Sequence, residues 1–403
     1  MMGRPVKKPE PCFFLWLLCW VVYAGAYFGR VNLSIALPSL SAAGTYSRVS
    51  LGLMASGFFA AYAAGQLING ALGDRLSPRW FVTAGLAVAG LSNILFGLSG
   101  SLPVMVFLWA LNGYAQSMLW GPLIRLVSER SPPEHLHKGI VFLSTSPIIG
   151  YFLSYAVVGR ISLFAGIKAV FFIPGIFLIL IAGLWFLSLR QSGPRSNSRK
   201  ITGPKTRREG LFPFILRTRL WAAALICIMG GIVKEGLVLW GPNLLSESQS
   251  LPMEQVLFIM SLTPLMNLPV LILSGWVHKT FRQKEKYTLL IFSSASLLSV
   301  FLLRAVLDQG LVYMGLAFSL IFAALYALNN ILTSFVPLNF YQEKRISTVA
   351  GFLDCAVYIG AAISGPLSGL MADSGGWKGV TECWIAVVAI TIPLCFISLK
   401  PRG

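Results

Sequence analysis

Charge is what this chain has least of. Asp, Glu, Lys and Arg make up 11% of its 403 residues, against 56% hydrophobic. A soluble domain of this length carries about a quarter charged residues to cover its surface, so an ordinary soluble globule is excluded and lipid must cover much of the chain. Acidic residues are scarcer still: 14 Asp and Glu stand against 32 Lys and Arg, for a net charge of +18. Histidine is nearly absent, and His135, His137 and His278 read as loop residues. Six cysteines (Cys12, Cys19, Cys227, Cys355, Cys383 and Cys395) show no close pairing and no metal-ligand spacing, and read as small apolar helix residues. There is no glycine-rich phosphate loop ending in Lys-Ser/Thr, no nucleophile elbow and no metal cluster. Neither enzyme chemistry nor a cofactor or metal is therefore expected.

What the chain does have is long apolar runs. A span needs about 20 apolar residues, and twelve stretches qualify: 12–38, 52–73, 80–99, 103–127, 139–163, 166–189, 219–245, 254–277, 287–307, 311–336, 347–371 and 380–399. The first has the basic start and apolar run of a signal peptide, but it is too long and contains an arginine, so cleavage is not expected. If the helices alternate, 24 of the Lys and Arg fall in loops on one side, and only Arg48 and Lys378 on the other. That asymmetry places both termini and the central loop in the cytoplasm. It accounts for the basic charge without nucleic acid. The expectation is a multi-pass plasma-membrane protein, and the compact loops suit a bacterial cytoplasmic membrane.

The chain divides. Residues 191–218 are rich in Ser, Pro, Gly, Lys and Arg, a polar linker between six-helix halves at 1–190 and 219–403. The halves look related. Arg30, Pro38 and Leu40 match Lys234, Pro242 and Leu244 at an offset of 204, Gly70 matches Gly275 at 205, and Gly166-Ile-Lys168 matches Gly376-Trp-Lys378 at 210. Two pseudo-symmetric six-helix bundles from one ancestral unit form an all-α arrangement whose solute site lies between halves that rock.

Charges inside helices are the next signal. Arg125, Arg160, Lys168 and Arg304 lie near helix ends and can snorkel. Arg30 and Lys234 lie deep, where a cation costs about 3 kcal/mol on insertion scales and marks a substrate path. Tyr23, Tyr27, Arg30 and Ser34 share one helix face, and phenols beside a guanidinium suit an anion with several oxygens. Glu235 follows Lys234 about 100° around the helix, so the two are not expected to face each other. Asp354 precedes Tyr358 by one turn. Glu235 and Asp354 either balance charge or take a coupling proton.

The stretch Tyr62-Ala-Ala-Gly-Gln66, followed by Gly70-Ala-Leu-Gly-Asp74-Arg75-Leu-Ser-Pro78-Arg79, resembles the second-to-third helix signature of the major facilitator superfamily. Its Asp-Arg-x-x-Pro-Arg form looks most like the organophosphate:phosphate antiporters, the glycerol-3-phosphate and hexose-phosphate carriers. Arg30-Val-Asn-Leu-Ser-Ile-Ala-Leu-Pro38, Trp240-Gly-Pro242 and Gly351-Phe352 with Tyr358 resemble their first, seventh and eleventh helices. The resemblance implies a phosphate-type site between the halves, with Arg30, Tyr23, Tyr27, Tyr62 and Tyr358 at matching positions. It implies a gating role, not a substrate role, for Gly70, Asp74, Arg75 and Arg79. The pattern departs at Lys234, where the family has arginine, and at Gln66, where several members have lysine. Ser144-Thr145-Ser146-Pro147 stands where the glycerol-phosphate carrier has a histidine. Lysine keeps the charge and loses the planar fork, so the pocket is less positive than the family pattern.

The leading expectation is a monomeric exchanger of phosphate and an organophosphate. The anion would bridge Arg30 and Lys234, while two unneutralised cations hold the halves of an empty carrier apart. The alternative is proton-coupled symport of an organic anion such as a sugar acid or carboxylate, with Glu235 or Asp354 taking the proton. A drug exporter fits less well, since such pockets favour a carboxylate among apolar walls. A non-transporting membrane sensor built on a carrier fold is the remaining class.

Overall fold

A computed structural model of the chain describes residues 12–73, 76–189, 210–281, 285–340 and 345–397. Ten helices among them are long and apolar enough to cross a membrane. Two of these, Lys138–Ser188 and Thr348–Leu394, are too long for one span, and each folds back at a glycine: Gly166 (φ 75°, ψ 174°) and Gly376 (φ 61°, ψ −164°). Only glycine takes such angles without strain. The two glycines that the repeat pairs by sequence are the same structural device in each half. Dividing there gives twelve spans: α1 (Phe13–Ala42), α2 (Arg48–Gly70), α3 (Pro78–Leu98), α4 (Leu102–Arg130), α5 (138–165), α6 (167–188), α7 (Leu220–Gln249), α8 (Met253–Thr280), α9 (Glu285–Val306), α10 (Leu311–Phe335), α11 (348–375) and α12 (377–394).

Several local expectations are corrected. α1 runs through Pro38 to Ala42, and α2 begins at Arg48 rather than 52, because a proline near a helix end removes one hydrogen bond without stopping the chain. His135 and His137 fall in a helix, Pro133–Ser144, and His278 is buried in α8 against Phe335. Arg125 and Arg304 do not merely snorkel: Arg125 pairs with Glu129 and donates to the Gly73 carbonyl at 2.6 Å, and Arg304 pairs with Glu382 at 3.1 Å. Residues 191–209 of the central linker lie outside the described residues. Leu211–Thr218 form a helix whose Phe214 is fully buried against Phe340.

The halves meet along a seam of α2 on α11 and α1 on α7. Gly52 and Gly365 bring the α2 and α11 backbones into contact; a Cβ on Gly52 would meet the Gly365 carbonyl carbon at 2.3 Å. Prolines then supply the polar part. Pro242 has no N–H, which leaves the Val238 carbonyl without its helical donor. Ser34 Oγ (2.5 Å) and the Tyr155 hydroxyl (3.0 Å) donate to that carbonyl from the other half. Pro366 frees Ala362 in the same way, and Ser56 Oγ takes it at 2.5 Å. Away from bulk water an unpaired carbonyl at this depth is costly, so these bonds both close the seam and satisfy the backbone.

At the end of the seam near residues 43–47, Arg48 of α2 is locked into the other half. Its Nη2 lies 2.6 Å from Glu247, its Nε 3.8 Å from Asp373, and its guanidinium 5.5 Å from the Trp377 ring. Trp377 Nε1 donates to Glu247 at 3.0 Å. Lys378, the other basic residue of the sparsely charged side, pairs with Asp308 at 3.6 Å. Toward the opposite end, Cys12–Ala26 of α1 and Asn267–Thr280 of α8 pack chiefly within their own halves. The seam is tight at one end and loosens toward the other. Replacing Arg48 by Ala is expected to weaken the closed end by about 1 kcal/mol, a roughly fivefold shift in population. A cysteine placed at Ser56 in a cysteine-free background should then react several-fold faster with an impermeant thiol reagent added on that side; an unchanged rate contradicts the latch.

Candidate functional site

The site begins with a defect in α1. At Tyr27 the hydrogen-bond ladder shortens, with Tyr27 N–H donating to Ala24 at 3.2 Å and Arg30 N–H to Tyr27 at 3.1 Å, three residues back instead of four. Arg30 follows this turn, half-buried at the seam. Its guanidinium lies over the rings of Tyr62 (4.9 Å), Tyr27 (5.3 Å), Phe58 (5.3 Å), Tyr358 (5.5 Å) and Phe59 (6.0 Å), and Nη2 donates to the Tyr358 hydroxyl at 3.3 Å. Among the described residues no carboxylate comes within ion-pair distance of it. Cation–π contacts of about 0.5–1 kcal/mol each together match the roughly 3 kcal/mol cost of an arginine at membrane depth. The rings therefore let the charge exist without neutralising it.

The expected site residues come together only in part. Tyr27, Tyr62 and Tyr358 surround Arg30 directly, with Tyr62 and Tyr358 4.4 Å apart. Tyr23 stands one ring further out, 5.8 Å from Tyr27 and 4.6 Å from Trp120. Gln66, a turn beyond Tyr62, is half-buried and makes no hydrogen bond among the described residues. Phe58, Phe59 and Tyr151, whose ring lies tilted 4.7 Å from that of Tyr27, also belong to the cluster. Their only sequence signal is aromatic spacing on α2 and α5, which packing produces equally well.

Lys234 and Glu235 correct the sequence reading: Nζ lies 2.9 Å from Oε1. The two Cβ atoms diverge, but the flexible lysine stem curls round to the carboxylate, and in a low-dielectric interior the Coulomb gain outweighs the rotamer cost. Glu235 is 2% exposed, and its Oε2 has no hydrogen-bond partner among the described residues. Arg30 and Glu235 line one cavity of about 30 Å³ with Ser34 and Tyr151, enough for one or two waters. Lys234 lines a second, of about 10 Å³, with Asn329. The ion pair thus joins two small cavities. Arg30 and Lys234 line different cavities. Asp354 is half-buried and interacts electrostatically with Lys234 and then Arg30, so two positive and two negative groups occupy the centre.

Of the loop signature, Asp74 and Arg75 lie outside the described residues. Gly70 is exposed on α2. Arg79 opens α3, donates to the Phe186 carbonyl at 2.9 Å and covers the Phe186 ring at 3.8 Å. It binds α3 to α6, away from the Arg30 cluster.

Twelve spans in two related halves, with a polar centre on the seam between them, define a secondary transporter rather than an enzyme. Residues 19–341 match the family model described as Major Facilitator Superfamily, and the chain belongs to that superfamily. It is 25% identical to a Chlamydia muridarum protein named "Probable hexose phosphate transport protein", over 92% of this chain and 87% of that one. It is 26% identical to the Bacillus subtilis "Glycerol-3-phosphate transporter", over 93% and 90%. It is also 24% identical to the Escherichia coli "Membrane sensor protein UhpC", over 96% and 90%. Its fold is similar to the inward-facing, unoccupied structure of a bacterial homologue of the lysosomal transporter Spinster, with a TM-score of 0.75 at 15% identity, covering 98% of this chain and 97% of that one.

The buried pair makes a stability prediction. Lys234→Met strands the Glu235 carboxylate and is expected to cost about 3–5 kcal/mol. Lys234→Met combined with Glu235→Leu should recover most of that loss. Thermal unfolding of the purified protein in detergent reads both; a double variant no more stable than the single one contradicts the pairing.

Proposed function

We propose that the chain exchanges inorganic phosphate for an organophosphate by alternating access, with Arg30 as the principal grip. One observation carries this reading: a guanidinium at membrane depth, on the seam between the halves, walled by tyrosines and without a carboxylate partner among the described residues. Its fork offers bidentate bonds to an oxyanion, and the Tyr27, Tyr62 and Tyr358 hydroxyls can meet the remaining lone pairs. The similarity to carriers named for hexose phosphate and glycerol-3-phosphate supports the substrate class. The pocket carries less free positive charge than expected, because Lys234 is already neutralised by Glu235. An entering anion therefore meets Arg30 first and gains Lys234 only by displacing Glu235. In the empty carrier Arg30 is the cation of the two without an ion-pair partner among the described residues, and Asp354 acts on it only beyond ion-pair distance. The 30 Å³ cavity is too small for a phosphate ester, so the halves part at their loose end to admit it.

On the same reading, both termini and the 191–218 linker are cytoplasmic, in a bacterial inner membrane, and the protein works as a monomer of halves 1–190 and 219–403. The latched Arg48 end then faces outward, and the site is reached from the cytoplasm. Counterflow in proteoliposomes tests the exchange: phosphate loaded inside should accelerate phosphate uptake several-fold, and Arg30→Lys should lower it about tenfold or more. Uptake indifferent to internal phosphate and to every phosphate ester overturns the reading.

The unpartnered Oε2 of Glu235 favours a second reading, proton-coupled symport of an organic anion. Uptake driven by an inward proton gradient without counter-substrate, and lost in Glu235→Gln, would select it. A sensor, as the UhpC relative is named, would bind phosphate esters and move none.

A further inference from the structure

We infer that a buried cluster of three amides, Asn93, Asn112 and Gln116, positions Arg30 by clamping the peptide that precedes it. The inference rests on the reading of Arg30 as the anion grip. Asn112 Nδ2 donates to the Gly29 carbonyl at 2.7 Å, and Asn93 Nδ2 and Gln116 Nε2 donate to the same oxygen at 3.2 Å each. Gln116 also donates to Asn112 Oδ1 at 3.0 Å. Asn32 backs the cluster: its Nδ2 donates to Asn93 Oδ1 at 2.7 Å and to the Val170 carbonyl at 3.0 Å, which Pro174 leaves without a helical donor. All four amide side chains are at most 3% exposed.

The convergence is more than helix adhesion requires. A carbonyl oxygen has two lone pairs, and polar side chains between membrane helices ordinarily satisfy one another across an interface. Here donors from α3 and α4 crowd onto one backbone oxygen, in the peptide plane that contains the Arg30 nitrogen. Glycine at 29 is what admits them: a Cβ there would meet Asn93 Nδ2 at 2.9 Å and Leu178 Cδ1 at 2.6 Å. The clamp sits two residues past the Tyr27 turn, where the α1 ladder has shifted to three-residue bonds and controls direction least. The rings that receive the guanidinium belong largely to α2 and α11. Arg30 must be aimed at the α2 rings and, across the seam, at Tyr358, and α3 and α4 hold the backbone that aims it.

A double-mutant cycle in proteoliposomes, with inorganic phosphate as the probe, tests this. Asn112→Leu and, separately, Gln116→Leu should raise the half-saturating phosphate concentration for counterflow about tenfold while leaving the maximal rate within about twofold. Asn112→Ser, which shortens the reach without adding an apolar surface, serves where Leu prevents folding. In an Arg30→Lys background the same substitutions should add nothing further, because what they position is already lost. Losses that add in full to that of Arg30→Lys, or that fall on the maximal rate alone, overturn the positioning role and leave the exchange reading standing. A wild-type protein that exchanges no phosphate overturns both.

Discussion

Everything at the centre of this protein follows from one arginine that has no ion pair among the described residues, in a medium that resists charge. Arg30 sits at membrane depth with aromatic faces and one phenolic hydroxyl as company. Ring quadrupoles lower the energy of a cation without cancelling its field. An acid in the same place would lower it further and leave nothing for a substrate. The cluster therefore keeps the arginine tolerable and, on the proposed reading, leaves it available to an anion. That balance also explains why polar groups of α3 and α4 are spent on the backbone beside it rather than on its head group.

Lys234 obeys the opposite rule. Its neighbour Glu235 neutralises it at 2.9 Å and is itself nearly sealed from solvent. On the proposed reading one cation meets an incoming anion and the second is held in reserve behind its own carboxylate. An anion strong enough to compete with Glu235 would bring both halves onto one ligand, since Arg30 belongs to α1 and Lys234 to α7. The seam beside them suits such a motion. Among the described residues its shortest side-chain contacts land on carbonyls that Pro242 and Pro366 leave free, and the Arg48 cluster backs one end. Interhelical hydrogen bonds in membranes are worth about 1–2 kcal/mol or less, so a seam built on a handful of them can be both closed and opened.

The architecture was legible because hydropathy and glycine act locally. Twelve apolar runs gave twelve spans, and the repeat pairing of Gly166 with Gly376 located the two folds-back that continuous helices would hide. Arg30 was legible because a lone arginine in an apolar run has few structural excuses, and Tyr27 because it shares that helix face; Tyr62 and Tyr358 came from the resemblance, and Tyr23 stands one ring further out. The Lys234–Glu235 pair was missed because helical geometry places Cβ atoms, whereas a four-carbon stem chooses where its charge ends. The seam was missed because Val238 and Ala362 carry no side-chain signal; a backbone carbonyl becomes an acceptor only through a proline four residues on and a serine from the other half. Phe58 and Phe59 were indistinguishable from packing, and His278 and Arg125 were assigned by proximity to a loop where tertiary partners decided instead.

The central claim is that Arg30 is a vacant anion partner. The most direct measurement is equilibrium binding of radiolabelled phosphate to purified protein in detergent, comparing the native chain with Arg30→Met. The native protein is expected to bind saturably, and more weakly as ionic strength rises, while the variant keeps its fold and loses binding. Equal binding by both, in folded protein, would contradict the account.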